Sequence, residues 1–65
     1  MITVKQILDL IDFPDEQKVT LYDYDVWDIV CSSLADEVPS HYFDRLVKGI
    51  EIGSNVLMLN LESTK

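Results

Sequence analysis

The apolar residues of this chain come in short runs that are repeatedly interrupted, and this pattern restricts the fold to short helices and strands. The longest nearly apolar run, Val56 to Leu61, is far shorter than the roughly 20 residues that span a bilayer. Pro14 stops a helix, because proline lacks an amide hydrogen and pushes the residue before it out of helical geometry. The 65 residues therefore predict one domain, residues 1–65, with a thin core, no membrane span and no signal peptide.

The first predicted element is a short N-terminal helix. Thr3 and Gln6 have the spacing of a capping box, in which each side chain binds the backbone amide of the other residue. One face of the helix is then predicted to hold Val4, Ile7, Leu8 and Ile11. The Asp12-Phe13-Pro14 segment ends the helix, and a loop follows to Gln17.

Two strands joined by a hairpin loop are predicted next. From Lys18 to Tyr24, β-branched and aromatic residues alternate with a period of two, which is typical of a half-buried strand. A second extended run follows from Val26 to Leu34. The alternation in the first run places these residues on one side of the strand: Val19, Leu21 and Asp23.

The second half of the chain predicts a short helix and another pair of strands. One or two helical turns are expected between Pro39 and Leu46, because proline favours the first turn of a helix. Extended runs follow at Val47 to Ile52 and at Val56 to Leu61. Between them, Gly53-Ser54-Asn55 has the composition of a three-residue hairpin turn with a left-handed position. The last residues, 62–65, are expected to fray.

Together these elements predict an α+β domain. The N-terminal helix packs on one face of a small antiparallel sheet of three to four strands, with a short helix between strands 2 and 3. A core this small gives only marginal stability, and self-association is one remedy. The residues predicted to face the helix from the sheet are Val19, Leu21, Ile29, Cys31, Ile50, Ile52, Leu57 and Leu59.

The run Val56 to Leu61 is apolar on both faces and carries no charge. Such a strand is either central in a sheet or an edge that binds another chain. The second interpretation would make the protein a structural or assembly module that acts as a homodimer or accessory subunit.

Residues that could support catalysis or metal binding are few. Cys31 lies in an apolar strand, where a thiol usually acts as a small hydrophobic group, and His41 is the sole histidine. Asp23, Asp25 and Asp28 have Asp-x-Asp-x-x-Asp spacing but lack the glycine and glutamate of a calcium loop. We therefore expect no enzymatic activity, no bound metal and no cofactor.

Negative charge is concentrated in one part of the sequence. The net charge is −7, and nine acidic residues but one basic residue, Lys18, lie between Asp9 and Glu37. A chain of this charge repels phosphate backbones, so direct binding to nucleic acid is not expected. The same field attracts basic protein surfaces and weakens as salt rises.

Asp23 and Asp25 suggest how such a surface could be recognised. Residues two apart on a strand share a face and lie about 6.6 to 6.8 Å from each other, close to the separation expected for successive phosphates of a nucleic-acid strand. The two carboxylates could imitate phosphates if the chain does not bend at Asp25. The aromatic residues Tyr22, Tyr24 and Trp27 lie among these acids, and aromatic residues are common anchors at interfaces.

The run Tyr22-Asp23-Tyr24-Asp25-Val26-Trp27-Asp28-Ile29-Val30 is followed by Asp36-Glu37-Val38-Pro39 and by Val47-Lys48-Gly49-Ile50. This succession resembles small acidic proteins encoded by phages and mobile elements of Gram-positive bacteria. Some proteins of that class are anti-CRISPR inhibitors. The resemblance therefore implies a host-directed phage protein that acts in the bacterial cytoplasm.

The leading hypothesis is a non-enzymatic acidic protein that binds the basic, nucleic-acid-binding surface of a bacterial defence protein such as a CRISPR nuclease. In this hypothesis the protein acts as a nucleic-acid mimic, and a homodimeric or accessory structural module is the alternative. The residues predicted to bind the partner are Asp15, Glu16, Asp23, Tyr24, Asp25, Asp28, Asp36 and Glu37.

Overall fold

The structure is a computed structural model that describes residues 1–65. All five strands belong to one sheet with the order β1-β4-β5-β2-β3. None of the helices has the length and apolar character that crossing a membrane requires. In chain order the elements are β1 (Ile2–Thr3), α1 (Val4–Leu8), β2 (Lys18–Asp23), β3 (Asp28–Leu34), two single-turn 3-10 helices (Ala35–Glu37 and Ser40–Tyr42), β4 (Leu46–Gly53) and β5 (Val56–Leu61).

The sheet is larger than predicted and is mixed rather than antiparallel. Strand β5 lies between β4 and β2, pairing antiparallel with β4 but parallel with β2. The α+β class is confirmed, whereas the antiparallel sheet of three to four strands is wrong. The alternation of side chains predicts each strand but not its neighbours, and β1 is too short to show a pattern. Of the two interpretations of Val56–Leu61, the central strand is confirmed and the open edge is wrong.

Helix α1 begins with the predicted capping box but is shorter than expected. The Gln6 amide donates to Thr3 Oγ1 at 3.2 Å, and the Thr3 amide donates to Gln6 Oε1 at 2.8 Å. The helix ends at Leu8, and Ile11 lies in the turn that follows. Val4 and Ile7 are buried against the sheet, while Leu8 and Ile11 are half-buried beside them.

The core lies on one face of the sheet, beneath α1 and the 3-10 segments. Ile29, Ile50 and Ile52 were predicted to be in the core, but each is exposed. A register shift next to Tyr22 pairs it with Ile29, on the face away from the core. Ile50 and Ile52 lie on the core face but beyond the reach of α1. The buried hydrophobic residues are Val4, Ile7, Val19, Leu21, Ala35, Val38, Val47, Leu59 and Leu61.

Two connecting segments also differ from expectation. The hairpin between β4 and β5 has a two-residue turn, Ser54 and Asn55, rather than three residues, and the left-handed position is at Asn55 with φ of 60°. The helix expected between Pro39 and Leu46 is reduced to the single turn Ser40–Tyr42.

The C-terminal residues are held against the sheet rather than frayed. The Glu62 amide donates to the carbonyl of Leu46 at 2.7 Å. The Ser63 and Thr64 side chains donate to the carboxylate of Asp25. The end of the chain therefore contributes to the fold.

We predict that Leu59→Ala lowers the free energy of unfolding by about 3 kcal/mol, because it removes a fully buried side chain from the central strand. Urea denaturation followed by circular dichroism measures this change. The control Ile29→Ala, at an exposed position, is expected to cost less than about 1 kcal/mol. Equal losses for the two variants would contradict the assignment of the core face.

Candidate functional site

Four of the predicted partner-binding residues lie together at one end of the sheet. Asp15 and Glu16 are in the loop before β2, and Asp36 and Glu37 are in the 3-10 helix after β3. Since β2 and β3 are antiparallel, the start of one lies beside the end of the other. We call these four residues the acidic end.

Backbone hydrogen bonds fix the two parts of the acidic end to each other. The Asp36 amide donates to the Pro14 carbonyl at 3.2 Å, and the Ala35 amide donates to the Gln17 carbonyl at 2.8 Å. The acceptors Pro14 and Gln17 flank Asp15 and Glu16, and both donors lie at the start of the 3-10 helix. The acidic end is therefore a defined surface rather than a flexible loop.

The four carboxylates of the acidic end are exposed and unneutralised. The ion pairs of the structure are Lys5 with Asp9 and Arg45 with Asp23 and Asp25, and none involves the acidic end. No group of side chains in the structure converges closely enough to hold a metal ion. The four carboxylates therefore give this end of the sheet an uncompensated negative charge.

An open groove of about 600 Å³ lies beside the acidic end. Its floor combines side chains from the loop after α1 with the β4–β5 hairpin. Apolar groups come from Ile11, Phe13, Ile52 and Leu57, while Asp12 and Glu16 contribute carboxylates. Sequence reasoning missed this groove, because Phe13 was interpreted only as part of a helix stop and Ile52 only as core.

Asp23 and Asp25 do not belong to the exposed acidic surface. Arg45 donates to both carboxylate oxygens of Asp23, at 2.8 and 3.1 Å, and the Asp23 side chain is only 9% exposed. Asp25 accepts hydrogen bonds from Ser63 and Thr64 and lies 3.6 Å from Arg45. Both carboxylates are therefore used within the fold, and neither is free to contact a partner.

The predicted spacing of two phosphate-like carboxylates also fails. Strand β2 ends at Asp23, and Asp25 lies in the turn over residues 24–27. Asp28 is exposed but begins β3 opposite Asp23, at the far end of the hairpin from the acidic end. The separation is about the length of β2, or roughly 20 Å. The acidic segment of the sequence is thus divided between two ends of the sheet.

Tyr24 belongs to an aromatic cluster at the Asp28 end. Its ring packs edge-to-face against Tyr22, with centroids 5.2 Å apart, and against Trp27, with centroids 5.5 Å apart. The ammonium group of Lys48 lies 4.6 Å from the Tyr24 centroid. Trp27 is 72% exposed. These rings form a separate surface that the structure does not bring to the acidic end.

Cys31 and His41 have separate surroundings. The Cys31 sulfur lies 3.7 Å from the Ser33 hydroxyl, and the His41 ring lies against Tyr42 with centroids 4.1 Å apart. No hydrogen bond joins the two residues.

Arg45 is the main residue that sequence reasoning missed. Besides binding Asp23, it donates to the Glu62 carbonyl at 3.1 Å and so connects β2 with the C-terminal segment. The sequence does indicate that Asp23 needs such a partner, because the alternation of β2 places Asp23 on the same side as the buried Val19 and Leu21. A buried carboxylate requires a cation or several hydrogen-bond donors.

These contacts alter the acidity of the groups involved. Hydrogen bonding to Arg45 holds the pKa of Asp23 below its ordinary value, and in turn Asp23 raises the pKa of Arg45. Hydrogen bonds from Thr64 and Ser63 lower the pKa of Asp25 to about 2. Both carboxylates are therefore charged at neutral pH.

We predict that Arg45→Met lowers the free energy of unfolding by about 3 kcal/mol, because it leaves the buried Asp23 carboxylate without its cation. Chemical denaturation at neutral pH measures the change. The control Lys5→Met breaks an exposed ion pair with Asp9 and is expected to cost less than about 1 kcal/mol. Similar small losses for both variants would show that the Arg45 contacts do not support the fold.

The pKa of Asp25 also predicts how stability depends on pH. The folded-state value of about 2 is below the ordinary value of 3.8, so the stabilisation is present above about pH 4 and is lost as pH falls toward 2. Asp25→Asn should therefore be less stable at neutral pH and lose less stability between pH 4 and 2. Denaturation curves over this range measure the difference, and identical pH dependence in the two proteins would contradict it.

Comparison with known proteins gives no relative: no protein-family model, no curated protein and no solved structure matches this chain.

Proposed function

We propose that this protein is a non-enzymatic binding protein whose acidic end docks on a basic surface of another protein, one that normally binds nucleic acid. The observation that supports this function is the acidic end itself. Asp15, Glu16, Asp36 and Glu37 are exposed, none is neutralised by an ion pair, and backbone hydrogen bonds hold their two segments together.

Charge provides the physical reason for a basic partner. The protein carries a net charge of −7, so it repels nucleic acid but is steered toward surfaces rich in lysine and arginine. Such surfaces on nucleic-acid-binding proteins are adapted to phosphates. A carboxylate-rich protein that occupies them excludes the nucleic acid by competition. The protein would then act as an inhibitor, and a bacterial defence protein such as a CRISPR nuclease is the target class that we propose.

The groove beside the acidic end provides a concave apolar surface next to these carboxylates. An apolar floor next to Asp12 and Glu16 suits the long aliphatic stems of lysine and arginine, whose charged ends can then reach the carboxylates. This combination supports a protein partner in preference to a free cation. It also restricts the proposed interface: Asp23 and Asp25 are excluded because they are used within the fold, and Asp28 and Tyr24 lie at the other end.

We predict that Glu16→Gln combined with Glu37→Gln weakens binding about tenfold or more, because each substitution removes a charged contact to the partner. The assay follows a labelled DNA strand by fluorescence anisotropy as the protein displaces it from a CRISPR nuclease loaded with guide RNA. The matched control, Asp9→Asn with Asp44→Asn, makes the same change in net charge at exposed positions elsewhere.

Two results would contradict the proposal for this target. One is equal competition by the test and control variants, which would show that only net charge matters. The other is failure of the unaltered protein to displace DNA at low salt, where attraction between opposite charges is strongest.

A further inference from the structure

The face of the sheet away from the core carries an open groove of about 520 Å³. No helix lies on this face, because α1 and the 3-10 segments pack on the core side. Trp27 is 72% exposed and Ile29 is 50% exposed. We call this feature the aromatic groove, and its apolar surface comes from Tyr22, Tyr24, Trp27, Ile29 and Met58.

The polar groups of the aromatic groove are acidic or neutral. The groove is lined by Asp28, Glu51 and Asn60 and by no basic residue. The Ile29 amide donates to Asp28 Oδ1 at 2.7 Å, and the side-chain amide of Asn60 donates to Glu51 Oε2 at 3.1 Å. Neither carboxylate belongs to an ion pair, and the second oxygen of each accepts no hydrogen bond. Both carboxylates are therefore available to a positively charged ligand.

Trp27 has a backbone conformation that is unfavourable for its residue type. Its φ of 56° lies in the left-handed region, where the Cβ atom of an L-residue comes too close to the following carbonyl oxygen. The other non-glycine residue with positive φ is Asn55, and asparagine tolerates this region better. Strained residues of this kind are concentrated where a side chain binds a ligand. The strain therefore supports a binding role for the exposed indole ring.

One aromatic ring of the groove already contacts a cation. The ammonium group of Lys48 lies 4.6 Å from the Tyr24 centroid, within the range of a cation–π interaction. Indole attracts cations more strongly than phenol does, yet no lysine or arginine of the chain lies over Trp27. Asp28 follows Trp27 in the chain, and both line the groove. An indole beside a free carboxylate suits a guanidinium group, which can stack on the ring and donate to the carboxylate.

We propose that the aromatic groove binds an arginine-bearing segment of a protein partner. The guanidinium group stacks on Trp27 and donates to Asp28. Apolar side chains next to the arginine pack on Tyr22, Ile29 and Met58. This site goes beyond the function proposed for the acidic end, because it lies at the other end of the β2–β3 hairpin and does not require the same partner.

The other possible occupants fit the aromatic groove less well. A second copy of the chain cannot supply the arginine, because the single arginine, Arg45, is bound to Asp23 within the fold. The net charge of −7 and the two carboxylates of the groove repel nucleic acid. A free cation would leave the apolar surface of the groove uncovered, whereas a peptide covers it.

Titration with a short peptide tests the ligand. The probe is acetyl-Arg-Ser-Leu-Ser-Leu-amide, in which arginine and both leucines share one face when the chain is extended. Its binding is followed by the amide chemical shifts of the protein and by the fluorescence of Trp27, the sole tryptophan. We expect shifts centred on the aromatic groove. Replacing arginine with citrulline, which is neutral and of similar shape, should weaken binding about tenfold or more.

Two results with the peptides would overturn the proposal. One is the absence of chemical-shift changes at the groove at millimolar peptide. The other is equal binding of the arginine and citrulline peptides, which would show that the groove does not recognise the positive charge.

Variants of the groove provide a second test. Trp27→Asn should weaken binding of the arginine peptide about tenfold or more, and Asp28→Asn should also weaken it. The matched controls, Phe13→Asn and Asp44→Asn, alter an exposed aromatic ring and an exposed acid elsewhere and should leave binding unchanged. Equal losses in test and control variants would overturn the site.

Thermal unfolding separates binding from folding in these variants. Asparagine accommodates the left-handed conformation, so Trp27→Asn should be at least as stable as the unaltered protein while it loses binding. A clearly less stable Trp27→Asn variant would show that Trp27 is retained for the fold, and would count against its binding role.

Discussion

The ion pair between Arg45 and Asp23 is the contact on which the arrangement of the chain depends. Asp23 ends β2, and Arg45 immediately precedes β4, so the pair joins segments that are distant in sequence. The Arg45 side chain also binds the Glu62 carbonyl after β5, and its own carbonyl accepts the amide of Val4 at 3.0 Å. One residue thus connects the helix, two strands and the C-terminal segment. Because the domain has few buried apolar side chains, it depends on this polar contact to hold these segments together.

The sequence predicts local structure well and long-range pairing poorly, for a physical reason. The capping box of Thr3 and Gln6, the extent of β5 and the inward side of β2 depend on neighbouring residues, and each is confirmed. The parallel pairing of β2 with β5 depends on a crossover connection, which leaves no pattern in either strand. Exposure of Ile50 and Ile52 likewise depends on where α1 stops covering the sheet.

The candidate site shows the same division between local and long-range effects. The acids from Asp9 to Glu37 are close in sequence, but the antiparallel pairing of β2 and β3 places them at both ends of the sheet. Asp15 and Glu16 meet Asp36 and Glu37 only because antiparallel pairing brings the two segments together. Meanwhile the buried pairing with Arg45 removes Asp23 from the surface. Sequence reasoning identified the residues of the acidic end but could not separate them from acids with a structural role.

The central position of β5 also affects when the protein can fold during synthesis. The pairs Lys18 with Val56 and Asp23 with Leu61 are between residues far apart in the chain. Until β5 has emerged from the ribosome, β2 lacks its inner neighbour, and β4 cannot be joined to the rest of the sheet. The β2–β3 hairpin and the β1–β4 pair therefore stay separate until β5 is available. We expect the cooperative folding step only after translation has passed Leu61.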